Sequence, residues 1–261
     1  MRAVDSPVNR NRFVKTGWRR LWGVPVLILG FGGLGVLLIG WLPLAVLLLL
    51  VRGDRRARMT RQVIHQAMRL YRGWLTLIGG CRFHTAALEP LRQSKPGVVI
   101  ANHPSLLDAL VVLAHAPNVV CVMRAGLLKN PLLALPARLA GYLPNDNPVE
   151  MMLGGRAAIR AGCHVLLFPE SSRTRRASGG SVDAFHPAAF MLAKRAEAPI
   201  HAFLFRYDSP LLGKDDPLWS PPRVPVRLSV APLANRPSMH AEPRAEAEAW
   251  HAAYRQALEV A

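Results

Sequence analysis

The sequence predicts an α/β domain with a largely parallel central sheet flanked by helices, carried on an N-terminal membrane-embedded helical hairpin. Three observations lead there. From residue 57 onward, short runs rich in β-branched residues alternate with stretches of helical periodicity. Residues 21–51 contain no ionisable side chain. Basic residues crowd both ends of that apolar run, with Arg10, Arg12, Lys15, Arg19 and Arg20 before it and Arg52, Arg55, Arg56, Arg58 and Arg61 after it.

The apolar run exceeds the roughly 20 residues that cross a bilayer as a helix. It is too long for the core of a cleaved signal peptide, and it ends in "RGDRRAR" rather than in small residues. One continuous helix would outrun a hydrocarbon core about 30 Å thick. "GFGGLG" at 30–35 and "GWLP" at 40–43 supply candidate breaks. Basic flanks at both ends favour keeping both ends on the cytoplasmic side of the inner membrane. The expectation is a pair of short helices that turn within 21–51, with a single tilted span as the alternative; residues 1–56 form a basic, membrane-anchoring segment and 57–261 a cytoplasmic α/β domain.

A formal charge of +17 calls for an anionic partner, which lipid headgroups, phosphorylated substrates, an acidic carrier protein or nucleic acid would all satisfy. No helix-turn-helix, zinc-finger or RNA-recognition signature is present, so nucleic acid is not expected as a partner. Three scattered cysteines (Cys81, Cys121, Cys163) form neither a CxxC pair nor a ligand cluster. Neither a disulfide framework nor a metal site is expected, and no cofactor.

Along the chain, residues 57–80 read as a helix, with Val63, Ala67, Leu70, Trp74 and Leu77 at three- or four-residue steps until Gly79-Gly80 stops it. The β-rich runs are 97–101, 118–123, 164–168, 199–205 and 224–230. Helical stretches fall near 105–115, 131–140, 149–161 and 187–197, and the Ala/Glu-rich end from Pro243 reads as a final helix. Strands alternating with helices of this length imply a parallel sheet. "RASGGS" and "DSPLLGKDDPLWSPP" are loops by composition.

Two strands end in chemistry. "GVVIANHPSLLDAL" leaves a buried strand and enters a helix, and ligands of open α/β sheets bind at the carboxyl ends of strands. Pro104 suits the first helical position, which places His103 at the cap and Asp108 one turn further in. Asp108 can then accept from one ring nitrogen and leave the other basic, the base-and-orienter half of a catalytic triad without its own nucleophile. The spacing alone is weak, since a His and an Asp can also merely cap a helix start. "HVLLFPESSRTRR" is the second case: Glu170 at a strand end, then Arg173, Arg175 and Arg176. Clustered guanidiniums present paired donors to a phosphate, although a solvated basic loop beside a membrane has the same composition.

Taken together, these blocks resemble the lysophosphatidate acyltransferase family (1-acylglycerol-3-phosphate acyltransferases) over about residues 80–235. "NHPSLLD" matches that family's NHxxxxD block and "FPESSR" its FPEGTR block, in the right order. "VMRAGLLKNPLLALPARLAGYLPND" resembles the connecting block, and "APIHAF" the later apolar strand. The resemblance implies His103 and Asp108 as catalytic residues. It implies substrate contacts from Asn102, Arg124, Asp146, Glu170, Ser171, Ser172, Arg173 and Arg175. It further implies acyl-CoA or acyl-carrier protein as donor and a lipid hydroxyl, lysophosphatidate-like, as acceptor.

The chain departs from the family at three places. Ser171 and Ser172 replace Gly-Thr, Asp146-Asn147 replaces Asp-Arg, and "FHPA" at 185–188 replaces a basic-basic-Gly patch. Loss of those cations admits an alternative acceptor, such as an amino-acid lipid or a polyene-type lipid. Two other readings remain, a basic membrane-tethered binding protein and an esterase that uses the same His with water.

Overall fold

The computed structural model describes residues 21–175, 182–214, 217–233 and 242–259. "RASGGS" and Arg176 lie outside the described residues. Two helices come first: α1 (Gly23–Leu49) and α2 (Asp54–Leu77). They are followed by β1 (Cys81–His84), β2 (Val98–Ala101), α3 (Leu107–His115), β3 (Val119–Met123), α4 (Pro131–Ala140) and β4 (Leu143–Pro144). The chain continues through α5 (Pro148–Arg160), β5 (His164–Leu167), α6 (Ala188–Ala196), β6 (Ile200–Tyr207), β7 (Val226–Pro232) and α7 (Pro243–Glu259). Every helix and strand expected after residue 57 is present within a few residues of its expected bounds.

The seven strands run in the order β1-β7-β6-β2-β5-β3-β4. Strands β2 to β6 are mutually parallel, while β7 pairs antiparallel with β6 and parallel with β1. The sheet is thus mostly parallel, and five strands point their carboxyl ends to one edge. Strands β2 and β5 are buried at every residue. That is why they read as unbroken apolar runs, as strands covered on both faces must. One face carries Val98, Ile100, Val165 and Leu167 against Met151, Phe190, Trp250 and Tyr254 of α5, α6 and α7. The other carries Val99, Ala101, Cys121 and Phe205 against Val111 and Val112 of α3, with Ile64 and Met68 of α2.

The expected turn inside the apolar run does not form. Residues 23–49 are one helix that continues through both Gly-rich stretches and through Pro43. The reversal comes after it, at Gly53, whose φ of 64° is the left-handed conformation a residue without Cβ adopts freely. The N-terminal unit is therefore a helical hairpin whose second arm is the amphipathic α2. At Gly33 the missing side chain serves packing rather than breakage. A Cβ at Gly33 would lie 2.4 Å from the Trp74 indole nitrogen, so the missing side chain lets α2 approach. Trp74 donates to the Leu29 carbonyl, and Tyr71 donates to that of Gly30.

Val26, Gly30, Trp41, Ala45 and Leu48 are buried at helical spacing along α1, and Leu34 and Leu37 pack on the same side. The stripe lies against α2 near Tyr71 and Leu75, and against α4 at Leu139. The rest of α1 is exposed and apolar, with Val36, Ile39, Val46 and Leu47 among its outward residues. It is long and apolar enough to cross a membrane and is a candidate anchor.

Among the described residues, three histidines are buried away from the strand-end edge: His65, His115 and His164. Burial chiefly lowers each pKa from 6.5. His115 is set between donors, its Nε2 lying 2.8 Å from Arg72 Nη1 and 3.0 Å from Thr85 Oγ1. Neutral in the folded state, these rings bind fewer protons than in the unfolded chain. Their contribution to stability is complete above 6.5 and declines as pH falls below it towards the lowered folded values. Thermal melts between pH 8 and pH 5 are expected to show a melting temperature that drops below about pH 6.5. A flat profile there would contradict the assignment of neutral, buried rings.

Candidate active site

The parallel register brings the ends of β2, β5, β3 and β4 to one edge of the sheet. His103 follows β2, Glu170 follows β5, Arg124 follows β3, and Asp146 follows β4. This is where side chains leaving different strands can converge on one ligand.

His103 Nδ1 lies 2.9 Å from Asp108 Oδ2, with the imidazole 16% exposed and the carboxylate fully buried. A buried carboxylate needs donors, and Asp108 has them. Its Oδ2 also accepts from the Ser105 backbone N–H at 2.8 Å, and its Oδ1 accepts from the Tyr207 hydroxyl at 2.5 Å. With Asp108 accepting from Nδ1–H, Nε2 is left as the basic nitrogen. The ring stacks on Phe168 at 3.9 Å between centroids, 13° from parallel, which limits its rotation.

The local route differs from a simple cap. Helix α3 starts at Leu107, so Pro104 lies in the bend before it rather than at the first helical position. Ser105 Oγ accepts from Leu107 N at 3.2 Å while Asp108 reaches back to Ser105 N, a reciprocal pair of the capping-box type. The bend before the helix leaves His103 outside the first turn, with Asp108 inside it.

Glu170 is buried and ties three segments together. Its Oε1 accepts from His103 N at 2.8 Å and Thr174 Oγ1 at 3.0 Å, and its Oε2 from Asp183 N at 2.9 Å. Burial raises its pKa, and those three donors work against the rise. Thr174 N in turn donates to the His103 carbonyl at 2.7 Å. The backbone on both sides of the His103 ring is therefore clamped by the "FPESSRT" loop.

The other expected contacts divide by what they touch. Asn102 is buried, and its carboxamide exchanges two hydrogen bonds with the Phe205 backbone at 2.9 and 2.7 Å, locking β2 to β6. Arg173 Nη1 donates to the carbonyls of Leu212 and Gly213 at 2.7 and 2.8 Å, tethering the loop after β6. Ser171 stands at φ 57°. Where the resembled family has Gly, this chain holds an L-residue in a left-handed conformation at a cost of about 1–2 kcal/mol. Ser172 Oγ accepts from Lys214 Nζ at 2.9 Å. Arg175 is exposed, 3.8 Å from Asp183. Arg124 and Asp146 are both exposed at the same sheet edge. Asn147 caps α5, its Oδ1 accepting from Val149 N and Glu150 N, a role Arg could not fill. His186 N bonds to the Pro169 carbonyl, which brings "FHPA" beside Glu170.

Tyr207, Phe168 and Thr174 are the site residues that motif reading missed. Tyr207 carries a usable signal, a polar side chain at the carboxyl end of a buried strand, just as His103 does. Phe168 does not, since an aromatic in such a strand looks like core. Burial, then the neighbouring Asp108 charge, pushes the Tyr207 pKa well up, so the phenol stays a donor. Arg173→Ala removes two charge-assisted bonds to the 212–213 backbone. It is expected to lower stability by about 1–3 kcal/mol, discounted for partial exposure. A chemical denaturation midpoint equal to that of the unmodified chain would free Arg173 from the tethering role.

Comparisons with known proteins bear on the fold and on the segment that carries these residues. A family model described as Acyltransferase matches residues 82–206. The fold is similar to the crystal structure of a 1-acyl-sn-glycerophosphate acyltransferase from Thermotoga maritima, with TM-score 0.67 and 18% identity, covering 93% of this chain and 97% of that one. A search of curated protein sequences finds no match. The matched segment contains the His103–Asp108 pair, Glu170 and Arg173, so it is this part of the chain that is similar to the acyltransferase family.

Proposed function

We propose that the protein transfers a fatty acyl group from a thioester, acyl-CoA or acyl-carrier protein, to the hydroxyl of a lysophosphatidate-like lipid. The observation that carries this is the 2.9 Å His103–Asp108 pair at a strand-end edge, inside the segment that matches the acyltransferase model. His103 Nε2 takes the proton of the acceptor hydroxyl as that oxygen attacks the thioester carbonyl. Asp108 holds the tautomer and stabilises the imidazolium. Collapse of the tetrahedral intermediate breaks the C–S bond, and the departing thiolate takes the proton back from Nε2. The products are the ester and the free thiol, with no acyl-enzyme and no metal.

The hairpin supports attachment at the cytoplasmic face of the inner membrane. Helix α1 packs against the domain along its length, at Val26 near one end and Leu48 near the other. That geometry favours an in-plane position over a span along the bilayer normal. Residues 1–56 would then attach the protein and 57–261 perform the chemistry.

A second reading has a specific observation behind it. Asn147, where the resembled family has Arg, is a helix cap and brings no cation, and Arg173 spends its Nη1 on two backbone carbonyls. An acceptor without a phosphate monoester fits that arrangement. Purified protein in lipid nanodiscs, given acyl-CoA or acyl-carrier protein together with lysophosphatidate, is expected to yield a diacyl lipid detectable by mass spectrometry. Transfer only to a non-phosphorylated acceptor would favour the second reading. Release of free fatty acid with no acylated lipid would leave the esterase reading standing.

A further inference from the structure

We propose that the turn at residues 217–220 is a second membrane contact, inserting Leu218 and Trp219 into the headgroup–acyl boundary beside the start of α1. The turn is closed by Ser220 N donating to the Pro217 carbonyl at 2.9 Å, which puts Leu218 and Trp219 at its two central positions. Those are 46% and 78% exposed. Turn tips favour Gly, Asn, Asp and Ser, so a Leu-Trp pair displayed there has no local folding reason. A Trp at a membrane boundary does, because its ring is amphipathic.

The turn is held to α1. Pro222 is buried against the helix start, where a Cβ on Gly23 would come 2.3 Å from the Pro222 carbonyl oxygen. Leu21 and Trp22, both exposed, occupy that same end of the chain's apolar helix. The exposed apolar side chains of the turn and those at the start of α1 are thus joined through the Pro222–Gly23 contact, with exposed Arg223 next to it to meet an anionic headgroup. The same segment reaches the catalytic edge. Leu212 accepts from Leu106 N and Arg173, and Lys214 reaches Ser172. Insertion of the turn would hold the catalytic edge at the depth of a lipid hydroxyl. This inference rests on the reading of α1 as a membrane attachment.

The test uses the full chain reconstituted into phosphatidylcholine–phosphatidylglycerol vesicles. A fluorophore is attached in turn at Trp219→Cys, Val36→Cys and Gln93→Cys. The native Cys81, Cys121 and Cys163 are buried, and burial pushes the first two up to about 12, so they label poorly. Val36 is exposed on α1, and Gln93 is exposed just before β2, at the far edge of the sheet. Nitroxide lipids are expected to quench positions 36 and 219 but not 93, with aqueous iodide quenching only 93. Quenching at 36 by lipid but at 219 by iodide would overturn this proposal and leave the membrane reading intact. Protection of 219 from both quenchers would mean that protein, such as a second copy, covers the turn, and would also overturn it. Lipid quenching at neither 36 nor 219 would take down the membrane reading itself.

Discussion

Replacing His103 with Ala is expected to slow acyl transfer by about 10²–10⁴-fold, the usual contribution of a general base. The protein should stay folded and membrane-attached, because the clamp around this position uses backbone atoms that Ala retains. His103 N still donates to Glu170, and its carbonyl still accepts from Thr174 N. Asp108 loses one donor of three and keeps Ser105 N and the Tyr207 hydroxyl, so its buried charge remains satisfied. Asp108→Asn should be comparably severe in rate, since an amide no longer fixes the tautomer that leaves Nε2 basic. The measurement is the transfer rate with a matched acceptor, alongside a melting curve. A rate within about threefold of the unmodified chain would rule out the base mechanism.

Glu170→Ala is the second large effect, and it acts on stability as well as rate. The side chain is buried and satisfies His103 N, Thr174 Oγ1 and Asp183 N together. A stranded buried donor costs about 1–3 kcal/mol, and water entering the gap recovers part of that, so a net loss of about 3–5 kcal/mol is expected. Transfer should fall too, because the backbone that carries the imidazole is no longer fixed. Glu170→Gln keeps one acceptor oxygen and should lie between the two. A melting temperature that does not move while transfer disappears would assign Glu170 to the acceptor lipid instead of to the His103 backbone.

Much of this was legible in the sequence. The strands β2 and β5 could be located because burial on both faces requires unbroken apolar runs, "VVIA" and "HVLL". The helices between them could be placed from the stretches that separate the strands, and the structure shows that Asn130-Pro131 and Asn147-Pro148 start two of them. The two motif clusters, His103 with Asp108 and Glu170 with Arg173, could be placed at strand ends because a parallel sheet sends its carboxyl ends to one edge. The short strands β1 and β4 could not be found, since four and two residues carry too little periodicity to register.

What only the tertiary structure decided was partnership. A chemical type is written in the residue, but which atom a side chain reaches depends on pairings across the sheet. Asn102 and Phe205 are 103 residues apart, and Glu170 and His103 are 67 apart. Strand neighbours β2, β5 and β6 bring both pairs together, and no local pattern encodes that order. For the same reason the sequence could not show that Arg173 also uses its Nη1 to hold the loop at 212–213. Gly33 in the apolar run is the mirror case. In isolation a glycine weakens a helix, and against Trp74 it is what permits α1 and α2 to touch, because packing against a neighbour outweighs intrinsic propensity.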